Sequence, residues 1–324
     1  MAYRYVNILS PGDPFRDWLV YDVIGDRIHN QRCPVKVFKH NSSHTVCQYQ
    51  FEDENFSVMA KFFSEPTRLS ELSGRLKNYN PYNSMMKEYK NLERASLVID
   101  VAKPLAFNGK MNCVLITEYI KGKPLSWYVK HEDKLYKRLT SVAHMLRKLH
   151  DNTKSSYDKV NEFKNFHDVL DTLRLDYNTR EKFNKLLGKW WYSTWLDRDF
   201  GCMVHRDAHP ANYIFNHHRP YAIDFESSWF HAHPIRDLGI LTSELKNSFE
   251  WRNKGDCGAE PYIGNFLWEY SKDYEDFIYN TKVLPFFISV GLLRSARIHQ
   301  GDHKKYLIKE ALECLKAIDR NKGG

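Results

Sequence analysis

The sequence predicts an α+β chain in two lobes, a small antiparallel sheet first and a larger, mostly helical lobe after it. Three observations carry this expectation. Up to about residue 120 the chain reads as β-rich, with apolar side chains at every second position in Val35–Val37 and Cys47–Phe51, as pleated strands require. Beyond it they recur every three to four positions, the spacing of a helix face. The change falls on Lys121-Gly122-Lys123-Pro124, a natural joint. The expected domains are 1-120 and 121-324, a layout suited to a cleft between lobes.

Composition narrows the class. Hydrophobic residues at 42% and charged residues at 27% of 324 positions suit a folded protein rather than a disordered one. The longest apolar stretch, Val283 to Leu293, falls short of the roughly 20 residues a membrane span needs. The net charge of +8 would suit anionic partners, but it is spread along the chain without a basic run, which argues against nucleic acid. The six cysteines are far apart and form no C-x-x-C pair, and Met1 to Leu9 lacks the apolar core of a secretion signal. A reducing, cytoplasmic location is expected.

The elements come in order. Pro34 to His40, Thr45 to Phe51 and Phe56 to Phe63 read as a three-strand meander, with Cys47, Tyr49 and Phe51 on one face of the second strand. Polar residues Glu65 to Ser84 read as loop or short helix, and Met85 to Leu97 as a helix with Met85, Tyr89 and Leu92 on one side. Ala102 to Phe107 and Asn112 to Ile120 are two more strands around an Asn108-Gly109 turn. Past the joint, Leu135, Leu139, Val142, Ala143, Leu146 and Leu149 trace a helical stripe, and further helices are expected around Val169, around Phe183 and from Asp237 to Leu315. Between them, Gly201 to Glu226 breaks into short strands and a loop.

That interruption carries the chemistry. It reads His205-Arg206-Asp207-Ala208-His209-Pro210-Ala211-Asn212, then Ile223-Asp224-Phe225-Glu226. Phosphoryl transfer from ATP needs a carboxylate to receive the acceptor hydroxyl's proton and oxygen ligands to hold magnesium on the triphosphate. H-R-D-x-x-x-x-N supplies the carboxylate, Asp207, and a carbonyl ligand, Asn212, and a strand ending in Asp224 supplies a second, charged ligand.

These two motifs resemble the kinase-like superfamily, in particular its aminoglycoside phosphotransferase and choline kinase branch. His205, Asp207, His209 and Asn212 match that branch's His-x-Asp-x-His-x-x-Asn, and Ile223, Asp224, Phe225 and Glu226 its second motif. The resemblance covers roughly Pro34 to Leu245. It implies a two-lobed, protein-kinase-like fold and an ATP- and Mg2+-dependent phosphotransferase acting on a hydroxyl of a small molecule or saccharide. Lys61 on the third strand would hold the α/β-phosphates and Glu88 on the next helix would orient it, with Glu93 as the alternative. Met59 would lie against adenine, whose edge would meet the backbone of Glu118, Tyr119 and Ile120. The phosphate loop would be Asn41 to Thr45, including Ser43 and His44, and departs from the pattern in having no glycine. Asp237 would brace the catalytic loop, although an N-cap for the next helix is an equal local reading.

Other readings stay open. The thirteen positions from Asp224 to Asp237 leave no room for the long activation segment of a protein kinase, which favours a small acceptor over protein serine or threonine. A nucleotide-binding pseudokinase scaffold is suggested only by the glycine-free loop. His217-His218 and His231-Ala232-His233 lack the spacing of a zinc site, and Trp190, Trp191, Trp195 and Trp229 would pack the helical lobe or line an acceptor pocket. The acceptor itself is not legible.

Overall fold

The computed structural model describes residues 3–40, 44–52, 54–64, 79–251 and 258–320. The strands are β1 (Tyr3–Leu9), β2 (Val35–His40), β3 (Thr45–Phe51), β4 (Phe56–Phe62), β5 (Pro104–Asn108), β6 (Val114–Glu118), β7 (Lys123–Pro124), β8 (Lys154–Ser156), β9 (Phe200–Val204), β10 (Tyr213–Asn216), β11 (Arg219–Ala222) and β12 (Trp229–Ala232). The helices are α1 (Pro14–Trp18), α2 (Pro81–Ser96), α3 (Leu125–His131), α4 (Leu135–Asn152), α5 (Lys159–Leu173), α6 (Tyr177–Trp191), α7 (Ile235–Glu250), α8 (Glu260–Tyr270), α9 (Tyr274–Ala296), α10 (Gly301–Leu315) and α11 (Ala317–Arg320).

The chain forms two compact units, one of residues 1–97 and 101–121, the other of 98–100 and 122–324. Val98–Asp100 goes with the second unit because the Asp100 carbonyl accepts the Ala222 N–H at 3.0 Å and its carboxylate takes two hydrogen bonds from Arg219. Gly122, at the joint, is required by a close approach: a Cβ there would lie 2.1 Å from the Phe215 carbonyl oxygen.

In the first unit the described strands make one antiparallel sheet in the order β1-β2-β3-β4-β6-β5. Alternation buries Val35 and Val37 of β2 and Val58 and Ala60 of β4, and α1 with the helical turn after it adds Leu19, Val20 and Ile24 to the same core. Asn80 caps α2 by accepting the Asn83 N–H. The buried stripe of α2 holds Met85, Leu92 and Ala95, and at the same spacing a carboxylate, Glu88. The meander, the helix and the β5–β6 pair lie where the sequence pattern puts them. The edge strand β1 does not follow from it: Tyr5, Val6 and Ile8 are exposed, so its one-sided pattern is weak.

The second unit is built on α4, α7 and α9. Gly239 of α7 and Gly291 of α9 let these helices approach closely, since a Cβ on Gly239 would sit 2.2 Å from Phe287 Cβ and one on Gly291 2.1 Å from Ser243 Oγ. Two small sheets lie beside the helices, β11-β10-β7 and β12-β9-β8. Trp190 is fully buried and donates its indole N–H to the Leu315 carbonyl at 3.0 Å, so it packs the unit. The Val283 to Leu293 stretch lies inside α9, and no described helix is long and apolar enough to cross a membrane.

The helix contact yields a paired test. Gly239→Ala is expected to destabilise by about 1–3 kcal/mol through overpacking. Gly264→Ala, on α8 with open space around its position, should instead stabilise by about 0.5–1 kcal/mol. Urea midpoints of both variants beside the parent chain check the two signs.

Candidate active site

In the first unit, the β4 register sets Lys61 opposite Val46 and Leu115, two positions from Met59 and on its face. Lys61 Nζ lies 2.7 Å from Glu88 Oε2, and both side chains are largely buried. A carboxylate on a buried helix stripe is costly unless paired, and this lysine answers it. Glu93 is engaged elsewhere, accepting from the Tyr89 hydroxyl at 2.8 Å. Met59 is half-buried on the strand. The Glu118 N–H is spent on the Lys103 carbonyl at 2.9 Å, while Ile120 has no backbone hydrogen bond among the described residues. His44 is buried, its ring centroid 4.9 Å from that of Phe63. Ser43 lies outside the described residues.

In the second unit, β9 delivers the chain into the His205–Asn212 loop. Asp237 sits in the first turn of α7, whose N-cap position is Pro234, and its carboxylate turns to the loop rather than to the helix end. Oδ2 accepts the His205 N–H and Oδ1 the Arg206 N–H, each at 2.7 Å. His150 of α4 supports it from beneath, with Nε2 at 3.1 Å from Asp237 Oδ2 and Nδ1 at 2.9 Å from the Tyr270 hydroxyl. Burial opposes the charge on Asp237, but the bonds from His150 and the His205 N–H outweigh it, and its pKa falls below the ordinary carboxylate value.

The braced loop is bent at Arg206, which has φ 64°, a conformation costing about 1–2 kcal/mol for a residue with a Cβ. The bend presents Asp207. Asn212 Nδ2 donates to the Asp207 carbonyl at 2.9 Å and reaches its Oδ2 at 3.2 Å. The amide oxygen of Asn212 has no partner among the described residues. The Asn212 carbonyl accepts the Ile223 N–H at 3.0 Å, closing the β10–β11 hairpin and setting Asp224 beside the end of the His205–Asn212 loop. Asp224 too is left-handed, at φ 63°. His205 Nε2 donates to the Ile223 carbonyl at 2.8 Å and its ring packs on Phe225, so the two motifs hold each other.

Three residues here carry no legible motif. Arg294 of α9 donates from Nη1 to the Arg206 carbonyl and from Nη2 to Asp207 Oδ1 at 2.8 Å. Glu244 of α7 lies 3.4 Å from His209 Nε2 and accepts from Ser295 at 2.6 Å. Burial works against a charge on His209, yet Glu244 and Asp207 raise its pKa above the ordinary value. His150 is the third. Two further histidines are occupied structurally: His233 Nδ1 accepts the Ile235 N–H, and His231 bonds Ser156. The guanidinium carbons of Arg206 and Arg236 lie 5.9 and 5.8 Å from the Trp229 ring centroid.

The Asp237 brace has a pH signature. Asp237→Asn removes a buried, hydrogen-bonded charge and should cost about 3–5 kcal/mol at pH 7. Because the folded-state pKa is lowered, the carboxylate's contribution is complete above its unfolded value of about 3.9 and fades as pH falls through the folded value. Denaturant unfolding of parent and variant from pH 7 to pH 3 should show the gap constant above pH ~4 and closing only below it.

The oxygen donors Asn212 and Asp224 fit a hard divalent cation such as Mg2+. Structures similar to this chain include a choline kinase from Cryptosporidium parvum Iowa II, at TM-score 0.60 and 13% identity over 95% of this chain and 96% of that one. A Plasmodium vivax ethanolamine kinase matches at TM-score 0.57 and 15% identity, over 89% and 83%. The ternary complex of streptomycin, ATP and APH(2")-IIa matches at 0.55 and 15%, over 96% and 99%. At these identities the likeness establishes a shared fold, an antiparallel-sheet N-terminal part followed by a helical part. No curated protein matches the chain in sequence. The sequence profile of the phosphotransferase enzyme family, however, matches residues 67–271, more than half of the chain, with His205 to Asn212 and Ile223 to Glu226 inside the match. The chain belongs to the phosphotransferase enzyme family.

Proposed function

We propose that the protein transfers the γ-phosphoryl group of ATP, in a Mg2+-dependent reaction, to a hydroxyl of a small molecule or saccharide. The observation that carries this reading is the hydrogen bond between the Asn212 carbonyl and the Ile223 N–H. It joins the loop bearing Asp207 to the hairpin end bearing Asp224, so a carboxylate base and two oxygen ligands share one rigid frame.

Each residue then has a task. Lys61, oriented by Glu88, holds the α/β-phosphates. Met59 and the backbone of Glu118, Tyr119 and Ile120 receive adenine, with Ile120 contributing its uncommitted backbone groups. Asn212 and Asp224 would hold the cation, which neutralises charge on the triphosphate when bound. Asp207 orients the acceptor hydroxyl and takes its proton as the acceptor oxygen bonds to the γ-phosphorus. The bond from that phosphorus to the β–γ bridging oxygen breaks, and its electron pair leaves on ADP. Asp237 holds the loop through its backbone, so it positions Asp207 without touching substrate.

The course of the chain after Asp224 favours a small acceptor over a protein side chain. That stretch is spent on a turn and β12, which pairs with β9 and runs directly into α7. The fold neighbours include kinases of choline and ethanolamine and a complex with streptomycin, so amino alcohols and aminoglycosides are acceptor classes to be tried alongside sugars.

Thermal unfolding with ATP, Mg2+ and both together separates the roles. ATP at 100 times its dissociation constant should stabilise by about 2.7 kcal/mol. Asp224→Ala is expected to abolish the Mg2+-dependent part of the shift. Asp207→Asn should keep the shift and lower turnover by about 10²–10⁴-fold. Full turnover by Asp207→Asn would refute the assignment of the base.

A further inference from the structure

Arg294 stands on α9, far along the chain from the catalytic loop, and grips that loop at two points. One arm holds the Arg206 carbonyl and the other Asp207 Oδ1, at 2.8 Å. Asp207 Oδ2 meets the Asn212 amide at 3.2 Å. The carboxylate is thus held at both oxygens, one of them by a full positive charge. A guanidinium carries five N–H donors. Beyond the two used here, the Arg294 guanidinium donates no further hydrogen bond among the described residues, and the side chain keeps 22% of its surface open.

Among the described residues, the carboxylates that α7 adds beside Arg294 are already paired. Glu244 is taken by His209 and by the hydroxyl of Ser295, the residue after Arg294. One turn further along α7 comes Asn247, which accepts from His303 Nε2 at 2.7 Å, and just past the helix Trp251, whose ring lies parallel to His303 at 4.1 Å. Glu250 is paired with Lys246 and the Tyr306 hydroxyl. An ammonium group docking here would meet the Arg294 guanidinium and find the Asp207 and Glu244 carboxylates already paired. Hydroxyl, carbonyl or carboxylate oxygens would meet open N–H donors, where charge-assisted hydrogen bonds form.

We propose that Arg294 selects the acceptor by charge: the phosphorylated hydroxyl belongs to an uncharged or anionic, oxygen-rich molecule, such as a sugar, cyclitol or hydroxy acid, rather than to an amine cation. Arg294 is a positioning residue toward Asp207 and a specificity-determining one toward the acceptor. The inference rests on the phosphotransfer reading with Asp207 as base.

The test uses the full chain with Mg·ATP and a fixed panel in three charge classes. The cations are choline, ethanolamine and streptomycin, the neutral compounds glucose, ribose and myo-inositol, and the anions glycerate and gluconate. ADP release and product mass report turnover, and binding is measured beside it with a non-hydrolysable ATP analogue. The parent chain is expected to take members of the neutral or anionic classes and to prefer them over the cations by tenfold or more in kcat/KM. Arg294→Gln should shrink that preference on the order of tenfold, chiefly through KM, and lower kcat as well. Arg294→Lys should restore the preference but not kcat, since an ammonium cannot span carbonyl and carboxylate as a fork does.

A parent chain that prefers the amine cations overturns the proposal. So does one that takes none of the neutral and anionic members, or an Arg294→Gln variant with unchanged preference. If Arg294→Gln does not fold, as its melting curve will show, the kcat and preference of Arg294→Lys decide. Failure of the underlying phosphotransfer reading is distinguishable, because the parent chain then phosphorylates no member of any class, whereas failure of the Arg294 assignment alone leaves the cations as acceptors.

Discussion

The carboxylate of Asp237 is the constraint on which the catalytic loop depends. Two successive backbone N–H groups, of His205 and Arg206, end on its two oxygens. Those bonds, with the one from Arg294 to the Arg206 carbonyl, hold the loop where Arg206 is left-handed, and that bend sets the direction in which Asp207 leaves the backbone. The brace is itself braced. His150 and Tyr270 reach it from α4 and α8, and Glu162 of α5 accepts the His233 N–H and pairs with Arg236, the residue before Asp237. A fully buried aspartate surrounded this way stays charged because its hydrogen bonds outweigh its burial.

Each of the two units solves a charge problem with its own scaffold. In the first, Glu88 sits on the apolar stripe of α2 and Lys61 on β4 answers it at 2.7 Å. A largely buried ion pair adds little to stability against its desolvation cost, and its effect is to fix where the lysine's charge stands. In the second, Arg294 and His209 stand against Asp207 and Glu244, so the acidic groups of the loop and of α7 are internally compensated. On the proposed reading, Arg294, a residue outside the motifs, sets the acceptor's charge.

Legibility in the sequence tracks distance along the chain. His205 to Asn212 and Ile223 to Glu226 are readable because the loop and hairpin that join them are local, and their spacing is the chemistry. Lys61 and Glu88 are readable because strand and helix periods put both on inward faces. Arg294, Glu244 and His150 are not readable: each stands on an ordinary amphipathic helix, and only packing of α9, α7 and α4 brings them to the loop. Gly239 and Gly291, which permit the α7–α9 contact, look in sequence like any helix-weakening glycine. The strands β1 and β12 escape for another reason. The first exposes its apolar residues at a sheet edge, and the second is only Trp229–Ala232, too short for a period-two signal.

The central claim is that a hydroxyl-bearing small molecule receives phosphate from ATP at Asp207. Phosphorus-31 NMR of the purified protein with Mg·ATP and a mixture of sugars, cyclitols, hydroxy acids, amino alcohols and aminoglycosides tests it most directly. The expected result is a phosphate-monoester resonance growing as the γ-phosphate signal of ATP declines, and no such ester with Asp207→Asn. An unchanged ATP spectrum, or phosphate found on protein instead of on a small molecule, would contradict it.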